Sequence, residues 1–362
     1  MFPIKKPHLL GLLPEALMNH IKILGETMTL TEARRVQAHI LGNGHADFLL
    51  KHPIKKLLQK KLTEHFELQP LKILERIEDP TDKSVRYLFE SYDQTLIEAV
   101  RIPLNKPGCF TICLSSQAGC AMACDFCATG RLGFKRNLEP WEIVAQFWQI
   151  RAEALGRVTG AVFMGQGEPF HNYENVIHAA RILSSPSGCC VDAKKITIST
   201  VGLVPFIRRY TEENHPYRLI VSLTSAIPEK RAKLLPIASR WSLEELADAM
   251  KAYVAKGNDL ITLAWVLIKG MNTDMDEVLA LKKLMGDTPF KLNLIDVNDA
   301  RADGFQRADD VERNNFFHML QKLNVPIVRR YSVGNSRHSA CGMLSGKRLK
   351  ELHVIENSKM SS

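Results

Sequence analysis

Apolar and polar positions change their spacing twice along the chain. Up to about residue 68 the apolar residues fall at helical spacing. Leu9, Leu10, Leu12 and Leu13 open a first patch, Ala33 to Leu41 follow a Thr31 that reads as an N-cap, and Leu57, Leu58 and Leu62 suggest a third helix. Between 71 and 101 the period shortens to two, in LKILERIED, VRYLFES and TLIEAVRI, separated by Asp-Pro and Tyr-Asp-Gln turns. That pattern predicts a small antiparallel meander. From Cys109 onward short β-branched runs, at 109–115, 159–164, 195–200, 217–224, 260–268 and 290–296, alternate with helical stretches. The helices expected are 141–155 behind Pro140, 174–183, one opened by a Ser242/Glu245 capping box and closed by Gly257, then 274–285 and 308–323. Alternating strands and helices predict a parallel sheet with right-handed crossovers. The fold class is therefore α/β, a partial (β/α)6 barrel open on one side, with its chemistry at the C-terminal strand ends. The domains expected are a helical accessory unit over 1–70, a linking meander over 71–108, the barrel core over 109–350 and a fraying tail over 351–362. There is no internal repeat and no low-complexity segment.

The loop behind the first barrel strand belongs to the stretch TICLSSQAGCAMACDFCATG, residues 111–130. Cys120, Cys124 and Cys127 stand in a C-x3-C-x2-C pattern, with Cys113 seven residues upstream. Thiolates this close can close around zinc, copper(I) or an iron–sulfur cluster. Structural zinc wants a closed set of four ligands, usually from two short Cys pairs, and no second pair is present. An iron–sulfur cube also takes four cysteines as a rule, so a triplet suggests a cube with one iron left for a small molecule. Phe126 would shield it from water.

With an aromatic residue before its last Cys, this triplet resembles the radical S-adenosylmethionine (SAM) superfamily. The wider text CxSSQxGCxxxCxFCATG is similar to the RlmN/Cfr family of RNA methyltransferases. The resemblance implies a [4Fe-4S] cluster on Cys120, Cys124 and Cys127 whose open iron takes the amino and carboxylate groups of SAM. It also implies SAM contacts at Gly167 and Glu168, in Met164-Gly-Gln-Gly-Glu-Pro169, and at Ser199, Ser222, Leu223, Thr224 and Asn298, all at strand ends. Two positions depart from the family pattern. Gln166 replaces a Met, a change expected to be mild, and Thr224 replaces a His, with shorter reach and no titration near neutrality. Ser339-Ala-Cys-Gly342 is similar to the family's methyl-accepting segment, although Arg337-His-Ser339 replaces an acidic flank.

In the mechanism implied, Cys341 takes a methyl group from one SAM and a second SAM is cleaved to a radical that activates it. The one-carbon unit then adds to C2 or C8 of an adenine in ribosomal or transfer RNA. Glu98 is the matching proton acceptor, and Cys113 releases the product by a transient disulfide with Cys341. Cys109, Cys189 and Cys190 are left as packing residues.

The formal charge is +9 in 362 residues, which favours a polyanionic partner. Lys51, Lys55, Lys56, Lys60 and Lys61 fall within eleven residues that hold no acid, and residues 322–350 carry seven basic side chains and no acid. A single run of this kind is usually a solvated face; two of them, one around Cys341, favour RNA. No apolar run approaches a membrane span, and the start reads as a helix without a cleavage site. Five of eight cysteines within nineteen residues fit a reducing, cytoplasmic compartment. A monomer served by an electron donor such as flavodoxin or ferredoxin is expected. Two other readings remain open: a radical SAM enzyme acting on a small molecule or peptide, and a zinc-dependent RNA-binding module.

Overall fold

The computed structural model describes residues 6–47, 54–299, 301, 304–330 and 343–344. It begins with three helices, α1 (Pro14–Ile23), α2 (Leu30–Gln37) and α3 (Lys56–His65). The cap of α2 is Thr29, not Thr31: its hydroxyl accepts from Glu32 N while Glu32 bonds back to Thr29 N. Thr29 lies three residues before a Glu, and that spacing is what a capping box needs. In α3 only Leu58 and Leu62 face inward. Leu57 is 49% exposed and shares the outer face with Lys55, Lys56 and Lys60, so the expected apolar triplet is a pair. Glu64, just past the lysine run, pairs with Lys60 at 3.8 Å. Lys51 lies outside the described residues.

The chain then enters one continuous ten-stranded sheet. Strands β1 (Lys72–Glu78), β2 (Val85–Glu90) and β3 (Leu96–Pro103) form the expected meander, and β3 pairs antiparallel with β4 (Cys109–Leu114). The meander is thus the first flank of the barrel sheet, where a linker was expected. A hairpin, β5 (Gln117–Gly119) and β6 (Phe134–Asn137), brackets the three-cysteine loop and the short helix α4 (Ala128–Arg131). Next come α5 (Pro140–Glu153), β7 (Arg157–Phe163), α6 (Tyr173–Ser184), β8 (Ile196–Thr200), α7 (Val204–Glu213) and β9 (Arg218–Ser222). They are followed by α8 (Pro228–Leu234), α9 (Leu243–Ala255), β10 (Ile261–Leu267), α10 (Met275–Met285), β11 (Phe290–Asp296), α11 (Asp310–Gln321) and β12 (Ile327–Arg330).

The parallel part runs β4-β7-β8-β9-β10-β11-β12, the six expected strands plus a seventh at the edge. The sheet runs from β1 to β12, and among the described residues no pairing joins its two ends, so the barrel they form is open. Strand register separates the two faces. Outward residues such as Ile112, Phe163, Ile198, Val221, Leu263 and Leu292 join the main core under the helices. The inner face carries Val100 opposite Cys113, Cys113 opposite Val162, Ser199 opposite Ile220, and Ser222 opposite Ala264. Among the described residues, Ile220, Ala264 and Ile295, with Met164 against them, form an apolar plug inside. The helical unit docks on α5: His8 stacks on Trp141 with centroids 4.1 Å apart, and Trp148 Nε1 donates to Ile40 O at 2.7 Å.

Candidate active site

The cysteine loop is held in shape by backbone that tolerates no side chain. Gly119 has φ +74°, and a Cβ there would stand 1.9 Å from Gly133 O. Cys120 N donates to Gly133 O at 3.0 Å, and Asp125 N donates to Leu234 O of α8 at 3.2 Å. Cys120 is 9% exposed, and Cys124 and Cys127 are half-buried. Burial pushes the Cys120 thiol up to about 12, and burial together with its sulfur neighbours pushes Cys124 well above its ordinary value. Thiolates would not gather here uncompensated, so the donor set fits a cationic iron centre. Phe126 is half-buried beside them.

The 164–169 loop is clamped against the Ser115-Ser-Gln117 segment. Ser116 N and Gln117 N both donate to Gln166 O, at 2.9 and 3.2 Å. Gly167 has φ +99°, and a Cβ there would come within 2.5 Å of the Gln117 side chain. Glu168 is 4% exposed; its N donates to Gln117 Oε1 at 2.8 Å. Its two carboxylate oxygens accept from Phe170 N at 3.0 Å and Val201 N at 2.9 Å. Burial still raises it to about 7, against the opposing bonds from Val201, Thr200 and Phe170. A carboxylate has about four acceptor positions, so capacity remains for a cationic amine.

Glu98 sits on β3, one inward position before Val100, on the same face as Cys113. It is fully buried and forms an ion pair with Arg86 of β2, itself 1% exposed. Arg101, the basic neighbour visible in the sequence, is one step out of phase with Glu98 and lies over Phe110 on the other face. Gln166 Nε2 donates to Glu98 Oε2 at 3.3 Å and Gln166 Oε1 accepts from Glu98 N at 3.2 Å, so the replacement of Met is an active contact. Cys113 is half-buried on β4.

At the next strand ends Ser199 is 6% exposed and Ser222 half-buried, both inward; Leu223 is fully buried. Leu223 N and Thr224 N both donate to Ala264 O, at 3.0 and 3.2 Å. Thr224 is fully buried with φ +61°, a left-handed conformation that β-branched residues avoid, and its Oγ1 has no hydrogen-bond partner among the described residues. Asn298 is 6% exposed; its Oδ1 accepts from Arg307 and its Nδ2 donates to Asp296 O at 3.1 Å. Cys341 lies outside the described residues, as do Arg337, His338, Lys347 and residues 351–362. Leu344, three residues beyond Cys341, is described: it is 5% exposed, and its carbonyl accepts from Thr129 Oγ1 of α4 at 2.6 Å.

A model of the radical SAM superfamily matches residues 114–281. A probable RNA methyltransferase of Anaeromyxobacter sp. is 44% identical over 344 residues, 94% of this chain and 99% of its own length. The dual-specificity RNA methyltransferase RlmN of Syntrophobacter fumaroxidans is 36% identical, over 86% of this chain and 91% of its own. This chain belongs to the RlmN-type family of radical SAM RNA methyltransferases. A crystal structure of a radical SAM methyltransferase from Sphaerobacter thermophilus superposes on it with a TM-score of 0.87 at 33% identity, covering 94% of this chain and all of that one. As an RlmN-type enzyme the chain uses a [4Fe-4S] cluster and SAM, and the zinc-module reading is set aside. No helix among the described residues is long and apolar enough to cross a membrane.

The sequence did not single out Arg86, Gln117 or Arg231 of this RlmN-type site. Arg231, on α8, is 2% exposed, and its Nη2 donates to Val201 O at 2.8 Å. Each of the three acts through a partner distant along the chain, which a linear motif does not display. Cys190 also departs from expectation: it is exposed, whereas Cys189 is buried and pushed up to about 12 by that burial.

Proposed function

We propose that this enzyme methylates C2 or C8 of an adenine in ribosomal or transfer RNA through a methyl group carried on Cys341. The observation that carries the reading is the bond from Thr129, two residues past Cys127, to Leu344. Three residues of chain span at most about 11 Å, so this anchor tethers the methyl-accepting segment to the cluster loop.

Cys120, Cys124 and Cys127 would hold the cluster, which would supply the electron for reductive cleavage of SAM. Glu168 accepts the SAM ammonium, and Gly167 lets the backbone close on the ligand without a side chain between them. Ser199, Ser222, Leu223 and Thr224 line the nucleoside side, and Asn298, braced by Arg307, closes it. Glu98 removes the ring proton once the one-carbon unit has added to the base. The Arg86 guanidinium, in an ion pair with it, holds its carboxylate in place. The Cys113 thiolate then attacks the Cys341 sulfur, the carbon–sulfur bond to the product breaks, and the disulfide formed needs two electrons from an external thiol.

The exposed lysines of α3 would hold RNA phosphates. A flavodoxin or ferredoxin would serve as electron donor to a monomeric, cytoplasmic enzyme. The test is mass spectrometry of digested ribosomal and transfer RNA from cells with the wild-type protein, with Cys341→Ala, or with neither. A methyladenine should be present only with wild type, while the Cys341→Ala protein keeps its iron. An unchanged nucleoside profile in all three would end the RNA reading.

A further inference from the structure

Arg231 is a fully buried cation that no carboxylate balances among the described residues. It is 2% exposed, takes part in no ion pair described, and has an Nε without a hydrogen-bond partner. Burial lowers its basicity, and the Cys124 sulfur opposes that shift. The surrounding backbone is shaped to keep it there. Gly202 has φ +112°, and a Cβ at that position would press on Arg231 Nη2 and Leu246 at 3.2 Å. Val201 accepts from Arg231 Nη2 through its carbonyl and donates to Glu168 through its amide, so one residue ties the guanidinium to the SAM-amine carboxylate. On the other side, α8 accepts Asp125 N of the cysteine loop at Leu234 O. Arg231 therefore lies where the end of β8, the cysteine loop and the 164–169 loop meet.

A buried charge without a counter-charge is strongly unfavourable. A centre held by three thiolates carries net negative charge, and one more negative charge when reduced. The geometry points to Arg231 as the fixed counter-cation of the iron–sulfur centre, a positioning residue that makes its one-electron reduction easier. A cation at fixed distance stabilises the more negative, reduced state over the oxidised one, so its removal drives the reduction potential down. The electron still comes from an external low-potential donor.

This inference rests on Cys120, Cys124 and Cys127 as cluster ligands, and the two claims are read by different measurements. Anaerobically reconstituted wild type, Arg231→Met and Arg231→Lys would be titrated with dithionite, following the reduced cluster by electron paramagnetic resonance, with iron content measured alongside. Arg231→Met should retain wild-type iron and show roughly tenfold less reduced cluster at a fixed potential, a shift of about 59 mV for a one-electron couple. Arg231→Lys, which keeps the charge, should recover most of that difference. A wild-type midpoint in iron-loaded Arg231→Met overturns the inference. If Arg231→Met does not load iron, the lysine variant decides: a midpoint near wild type supports the role of charge, and one shifted well below it overturns it. Loss of iron on Cys→Ala change at positions 120, 124 or 127 tests the ligand assignment separately.

Discussion

On the β2–β3 flank, Arg86 and Glu98 are both fully buried and neutralise one another's charge in an ion pair, with Gln166 adding two further bonds to Glu98. On the β8–β9 flank, Arg231 and Thr224 are as deeply buried, but among the described residues Arg231 has no carboxylate partner and Thr224 Oγ1 has no hydrogen-bond partner. The first arrangement balances its own charge within the polypeptide. The second is complete only when something else arrives. A buried charge is costly without a counter-charge, so Arg231 marks where a ligand of opposite charge belongs. The contrast also separates two kinds of mutational effect: changes on the first flank should damage the fold, and changes on the second should damage ligand binding.

The largest expected effect is on the first flank. Glu98→Gln leaves Arg86 as a buried cation without its anionic partner and should cost about 3–5 kcal/mol of stability, read as a lower denaturant midpoint of the SAM-free protein. A midpoint equal to wild type would erase the distinction between the flanks. At the SAM amine site, Glu168→Gln should leave the midpoint nearly unchanged at low pH, where the native carboxyl is protonated too, and weaken SAM by roughly tenfold or more near neutrality, as loss of a charge-assisted hydrogen bond worth about 1.5–3 kcal/mol requires.

The pH behaviour of Glu168 sharpens this. Because burial raises its carboxyl from 4.5 to about 7, the SAM-free fold holds that proton more tightly than the unfolded chain. Its stabilising contribution is full below pH 4.5 and is lost as pH rises through about 7. SAM binding runs the opposite way, since an ammonium favours the carboxylate: affinity should fall as pH drops below about 7, and Glu168→Gln should flatten that slope. A pH-independent affinity in wild type would remove Glu168 from the amine site. The smallest effect is Thr224→Gly. Relief of the left-handed φ of +61° should raise stability by about 1 kcal/mol, while loss of the hydroxyl weakens SAM. A variant that lost stability and kept full affinity would show Thr224 to be packing alone.

The sheet was legible wherever hydrophobic period and turn residues agreed. Strand 290–296 matches its prediction, and the other five barrel strands differ only at their ends. What escaped was short or polar. β12 is four residues, Ile327–Arg330, and read as part of a basic run. The β5–β6 hairpin is shorter than a detectable alternation, and the charged faces of α7 and α8 masked their few buried positions. The cysteine triplet and the Gly167-Glu168 pair announced themselves because their chemistry is local. The partner of Glu98 did not, because Arg86 lies twelve residues away and reaches it only through the β2–β3 register. Arg101 is nearer along the chain, but strand alternation puts that side chain on the opposite face.

The Thr129 bond to Leu344 joins the two ends of the catalytic apparatus through a four-residue helix that starts at a cluster ligand. Arg131 of the same helix donates to Asp125 O at 2.8 Å and pairs with Asp299 at 3.5 Å, so the helix is tied to the cysteine loop and to the chain beyond β11 as well. If Cys127 holds the iron site, a disturbance of the cluster loop would be felt at Leu344, and a pull on the chain around Leu344 would be felt at the cluster loop.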